Sequence, residues 1–228
     1  MRFLFLASLL LVACVPATPQ QIVQREEPAI NPEQRQEEVA PIAIEALIAG
    51  TGALTERLLP TGVIDIGNRE APLTILLFTE HHAQYSREFH MDLFPRLLED
   101  FIEPGLVRFQ IVILPLKKYP QSENAAAALL CAAMQNKGMA IHAMMTENID
   151  KERLDPRFYA EDLELDLEAF DECTEGEDIA LILKQQKAWA QSLDVTLVPT
   201  YFVNGEKNVG LPYYADLRGM LEKLGSRM

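Results

Sequence analysis

The stretch LTILLFTEHHAQYSREFH, Leu73 to His90, changes character midway. Its first seven residues, Leu73–Thr79, form a nearly continuous apolar run of the length expected for a strand buried on both faces. After Glu80 the apolar residues recur at helical spacing. A helix is expected through Glu103, kinked at Pro95 and closed by Pro104-Gly105. A second buried strand follows in VRFQIVIL, Val107–Leu114. Strand, helix and strand at this spacing predict a parallel, right-handed crossover unit. Chemistry in such a unit is placed where the first strand turns into its helix. That corner holds His81, His82, Ser86 and His90, and no cysteine.

Working outward, Ser122–Leu193 reads as a long helical block, broken near Gly138, Asp150, Asp155-Pro156 and Gly176. TYFV, Thr200–Val203, is a strand, Asn204-Gly205 a hairpin turn, and Lys207–Gly210 the return strand. Tyr213–Leu224 forms the last helix. The order β-α-β, helical insertion, β-β-α belongs to the α/β class and predicts a thioredoxin-like fold with an inserted helical domain. Upstream, Ile42–Leu59 reads as a short amphipathic helix, interrupted at Gly50 and Gly52 and stopped at Pro60. Val15 to Glu38 is dominated by proline, glutamine and glutamate without apolar periodicity, the composition of a flexible tether. The expected division is residues 1–13 as a signal, 14–38 as the tether, 39–62 as an N-terminal helical segment and 63–226 as the folded domain. The insertion occupies about 120–193 of that domain.

The first residues, MRFLFLASLLLVAC, carry Arg2 and then an apolar run to Ala13. A permanent membrane span needs roughly 20 apolar residues, so this run reads as a secretory signal. Its end, Leu11-Val12-Ala13-Cys14, resembles the lipobox of bacterial lipoproteins. That resemblance implies cleavage before Cys14 and lipid on its sulfur. Cleavage removes one of the 20 cations, leaving 19 against 34 carboxylates, a net −15. So acidic a chain repels nucleic acid and anionic headgroups, and attachment to a membrane falls to the lipid. With Cys14 lipidated, Cys131 and Cys173 remain as an even pair in an oxidising compartment, and a disulfide between them is the default reading. Two buried free thiols are the alternative.

Several spaced motifs then point to one family. Ile66-Gly67-Asn68-Arg69-Glu70-Ala71-Pro72, a strand, and FTEHHAQYSREFH resemble the DsbA-like thioredoxin-fold oxidoreductases, which read G-N-x-x-A-P, strand, C-P-Y-C-x-x-F-H. Cys131-Ala132-Ala133-Met134-Gln135 with His142 is similar to their C-A-x-x-Q…H helix. Val198-Pro199-Thr200-Tyr201-Phe202-Val203-Asn204-Gly205 is similar to their x-P-T-x-F-V-N-G. The resemblance spans about Val63 to Leu224. It implies a cis bond before Pro199, with Tyr85, Val198 and Pro199 shaping a groove for a polypeptide backbone.

The same resemblance places the family's two redox cysteines on Ala83 and Ser86. Exchange requires a thiolate nucleophile and a second, resolving thiol. A methyl group and a hydroxyl supply neither, so the corner is expected to be redox-dead. Ser86 and His90 are four apart and could share a helix face, but a serine nucleophile also needs an orienting acid and an oxyanion hole. Glu80, the one local acid, resembles a family position instead. The expected function is therefore a redox-inactive, lipid-anchored DsbA-like protein that binds an envelope polypeptide, partner or client, with no cofactor and no nucleic acid. Val15 after the lipidated cysteine favours the outer membrane over the inner, facing the periplasm. Two other classes stay open: a thiol–disulfide oxidoreductase acting through Cys131 and Cys173, and a periplasmic metal-binding protein using His81, His82, His90 or His142.

Overall fold

The computed structural model describes residues 54–148 and 155–227. The signal, Cys14, the tether and most of the N-terminal helical segment lie outside them. Within them the strands are β1 (Glu56–Leu58), β2 (Ile64–Ile66), β3 (Leu73–Thr79), β4 (Val107–Ile113), β5 (Thr200–Val203) and β6 (Glu206–Val209). They form one mixed sheet in the order β1-β2-β4-β3-β5-β6. β3 and β4 run parallel, from Leu73 opposite Val107 to Thr79 opposite Ile113, and the other pairs are antiparallel.

Alternation divides the sheet's side chains between two cores. Leu73, Ile75 and Leu77 of β3, with Phe109 and Ile111 of β4 and Tyr201 and Val203 of β5, face the larger one. Phe78, Val112 and Phe202 face the smaller, where Phe78 meets Trp189 and Phe202 edge to face at 5.2 and 5.9 Å. Each buried side chain of this size contributes roughly 1.5–3 kcal/mol by leaving water.

The crossover between β3 and β4 is a single helical run, labelled α1. It begins as Gln84–Glu88, widens to π-helix over Phe89–Leu93, returns to α over Phe94–Leu97 and widens again over Leu98–Ile102. Where a kink at Pro95 is expected, wide turns flank the proline instead. The Phe94 N–H donates to the Phe89 carbonyl, and the Glu103 N–H to the Leu98 carbonyl, each five residues back. Such turns accommodate a residue that has no N–H and whose ring would crowd the carbonyl four residues earlier.

Between β4 and β5 lie α2 (Ser122–Met134), α3 (Gly138–Glu147), α4 (Pro156–Asp162), α5 (Leu167–Thr174) and α6 (Glu177–Ser192), and α7 (Tyr214–Gly225) closes the chain. α2 is buried on nearly every side, so it shows no amphipathic stripe, and its alanines allow close approach of its neighbours. The Cys131 and Cys173 sulfurs are bonded at 2.03 Å and tie α2 to α5.

One expectation is overturned. The segment read as helical up to Leu59 carries strand β1 at Glu56–Leu58, antiparallel to β2. The cause is tertiary. The Glu56 carboxylate accepts from the Gly138 and Met139 N–H groups at 2.7 and 3.0 Å, satisfying the start of α3. Arg57 donates to Asp65 at 2.9 Å and to the Gly67 carbonyl at 2.7 Å. Gly138 is required there, because a Cβ would stand 2.6 Å from the Glu56 carboxylate and 2.7 Å from the Ala133 methyl.

Candidate functional site

β3 ends at Thr79, and the next four residues turn the chain into α1. Glu80 is fully buried, yet its carboxylate is well supplied with donors. Ser122 Oγ donates at 2.6 Å, the His82 N–H at 2.8 Å, and His82 Nδ1 lies 2.8 Å from Oε1. Ser122 Oγ in turn accepts from the Leu116 N–H at 3.0 Å, so Glu80 ties the corner to the segment before α2. The His82 ring stacks on Tyr119, with centroids 5.4 Å apart.

Ala83 is the residue that caps α1, and it offers the helix no side-chain hydrogen bond. Its methyl is buried. Ser86 is buried as well, and its Oγ accepts from the Glu80 N–H at 3.4 Å. His90 does not hold that hydroxyl; it stacks on Phe94 and meets His142. The serine–histidine arrangement that the spacing of four permits is thus not formed. Tyr85, between the two degenerate positions, is 58% exposed.

On the other side of the corner, Val198-Pro199 is a cis peptide. β5 pairs with β3 from Ile75 opposite Val203 to Phe78 opposite Thr200, so Pro199 immediately precedes the pair at the end of β3 that leads into the corner. The Pro199 carbonyl is taken by the Gly210 N–H at 2.8 Å. Among the described residues no hydrogen bond uses the Val198 main chain. Leu197, just before it, is 64% exposed. Tyr85 and Leu197–Pro199 therefore border the same end of β3, an open apolar rim with unspent backbone groups.

The histidines divide in a way that sequence alone does not resolve. His81 and His82 turn apart, and His81 joins His90 and His142 in the core. The His142 ring meets His81 at 4.8 Å and His90 at 4.3 Å, each edge to face. No hydrogen bond is made by either nitrogen of His81, by His90 Nε2 or by His142 Nδ1. Burial, together with the neighbouring imidazoles, pushes His81 down to about 3. Burial alone pushes His90 to about 4, and His142 falls well below the ordinary value through burial and then through the neighbouring His90 and His81. All three are neutral at neutral pH. Among the described residues no group of three or more His, Cys, Asp or Glu side chains is placed to hold a metal ion.

Ser122 and Tyr119 reach the corner from some 40 residues downstream, and no local pattern in the sequence marks them. Cys131 is 1% exposed. Its sulfur is therefore shielded from an incoming thiolate, whereas Cys173, the other half of the bond, is only half-buried.

A family model described as thioredoxin matches residues 59–223. The oxidised BdbD of Bacillus subtilis superposes with a TM-score of 0.64 at 21% identity, covering 71% of this chain and 92% of that one. The alpha-DsbA1 of Wolbachia pipientis gives 0.65 at 20% identity, covering 72% and 90%. In sequence, the Na(+)/H(+) antiporter NhaA 3 of Salinispora tropica is 32% identical over 149 residues, 64% of this chain, although the match spans only 22% of the antiporter. The chain belongs to the thioredoxin family, and its fold is DsbA-like.

Proposed function

We propose that this chain is a redox-inactive, DsbA-like binding protein of the bacterial envelope that holds an extended segment of a partner or client polypeptide at the corner. Lipid on Cys14 keeps it on a membrane facing the periplasm. The observation that carries the reading is the pair Ala83 and Ser86. Exchange begins with attack by a thiolate and ends with attack by a second thiol, and neither position has a sulfur. The two cysteines of the folded part are already joined to each other, with Cys131 buried. The rim nevertheless keeps what a peptide backbone needs. Tyr85 and Leu197 are exposed apolar surface, and the Val198 N–H and carbonyl are free to pair with an extended strand.

The test restores the missing reagents. Ala83→Cys with Ser86→Cys should reduce insulin measurably, because the start of α1 still supplies the field that lowers a thiol's pKa. The natural chain should stay at the uncatalysed rate. Turnover by the natural chain near that of the restored variant would defeat the proposal. Binding of an extended peptide should also weaken by about tenfold when Tyr85 or Val198 becomes Asp, since either change sets a charge in apolar contact.

A further inference from the structure

On a chain with 34 Asp and Glu against 20 Lys and Arg, one groove carries the opposite sign. It has a volume of about 570 Å³ and runs between the segment after β4 and the exposed side of α6. Lys117 lines it from the first, Lys184 and Lys187 from the second, and Glu123 is its single acid. Lys184 and Lys187 are three apart and so project from one side of their helix. Among the described residues none of these three lysines is in an ion pair. A fourth cation, Lys118, lies 4.6 Å over the ring of Tyr119. Leu183 and the Tyr119 ring give the groove an apolar floor. Because Tyr119 also stacks on His82, this groove adjoins the corner.

We propose that the groove takes an acidic segment of the polypeptide held at the corner, its Asp or Glu side chains pairing with Lys117, Lys184 and Lys187. The inference rests on the binding role proposed above and names the chemistry of the bound chain. Charge and geometry together favour a peptide over other anions. Screening limits the lysines' reach to about 10 Å at 0.1 M salt, so a short segment feels the local cations. A nucleic acid or an anionic bilayer instead meets the net −14 of the whole chain. No arginine lines the groove, so it lacks the planar fork that matches phosphate, whereas separate ammonium groups suit single carboxylates. The apolar floor accepts the aliphatic part of a peptide and would gain nothing from a free phosphate.

The experiment titrates the full chain with two fluorescein-labelled peptides, one alternating Glu and Ala and one alternating Gln and Ala, and reads anisotropy. The Glu peptide should bind about tenfold more tightly, as expected for two or three partly exposed charge pairs, and lose most of that advantage between about 50 and 300 mM salt. Lys184→Glu with Lys187→Glu should abolish the preference and leave the Gln peptide's affinity unchanged. The milder Lys184→Gln, Lys187→Gln pair, with thermal melts on both, restricts the comparison to folded protein. Equal affinity for the two peptides, a preference that survives both double variants, or tighter binding of a decathymidine strand would overturn the proposal. The corner reading fails separately, when Tyr85→Asp leaves the Gln peptide's affinity unchanged.

Discussion

Two buried polar clusters in this molecule are built on opposite terms. Around Asp65 each charge has its partner. Arg57 donates at 2.9 Å, Arg108 at 2.5 Å and Gln110 at 3.2 Å to a carboxylate with no exposure at all. Around His142 the rings touch one another and four nitrogens of the trio are left without partners. In the first cluster burial pushes the Asp65 carboxyl up, but the Arg108 and Arg57 guanidinia more than offset it and hold it below the usual range. In the second nothing offsets burial, and the imidazoles stay neutral. A satisfied cluster fixes the register of β1, β2 and β4. An unsatisfied one makes the ground behind the corner sensitive to acid.

The largest effect expected from this contrast is acid destabilisation. A base whose folded value is depressed contributes no penalty above its unfolded value of 6.5, and stability is lost as pH falls from 6.5 toward the folded value. One pH unit corresponds to about 1.4 kcal/mol for each imidazole, so His81 and His90 together remove about 4 kcal/mol at about pH 5, and His142 adds to a loss that is already a large part of a typical domain's stability. Urea titrations at pH 7 and pH 5 should show this loss. His90→Leu should remove about a third of the slope, by taking away one of three protons bound only on unfolding. Equal stability of the natural chain at the two pH values would show that the trio is already hydrated or partnered.

Asp65→Asn tests the other cluster. It strands two partly buried guanidinium groups and should cost about 3 kcal/mol at pH 7, toward the lower end for a broken buried pair because both arginines keep some solvent. The sign of its pH dependence is different. A depressed carboxyl contributes fully above its unfolded value of 3.8 and loses that contribution as pH falls through the folded value, so the cost of Asp65→Asn should be the same at pH 7 and pH 5. A cost that shrinks across that interval would mean that the two clusters are coupled.

The parts of this fold that were legible in sequence are those held by local pattern. Leu73–Thr79 and Thr200–Val203 occur with the expected bounds, because strands buried on both faces declare themselves as apolar runs between turn residues. β1 and β2 have three residues each, too few for a period. They exist because Glu56 finds α3 eighty-two residues away and Asp65 finds Arg108 forty-three residues away. The corner was legible as a corner, and the replacements Ala83 and Ser86 could be read directly. Which histidine turned inward was not, because α3 supplies His142 and thereby decides it. The lysine groove left no local mark either, since Lys117 and Lys187 are brought together only by the packing of α6.

The smallest of the expected effects concerns Glu80, a satisfied group placed next to an unsatisfied one. Its neighbour His81 has no partner, while Glu80 itself accepts from Ser122 Oγ at 2.6 Å and from the His82 N–H. Ser122→Ala deletes one donor to a buried carboxylate and the acceptor of the Leu116 N–H. A hydrogen bond to a charged group is worth roughly 1.5–3 kcal/mol, and the remaining His82 contacts keep the carboxylate from being stranded, so a loss of about 2 kcal/mol is expected at pH 7. The substitution leaves the three imidazoles in place. The slope of stability between pH 6.5 and about 4 should therefore match that of the natural chain, with the whole curve lowered. A slope shallower by one proton would mean that the Glu80–Ser122 bond also holds His81 in the core. The corner and the histidine trio would then act as one cluster rather than two.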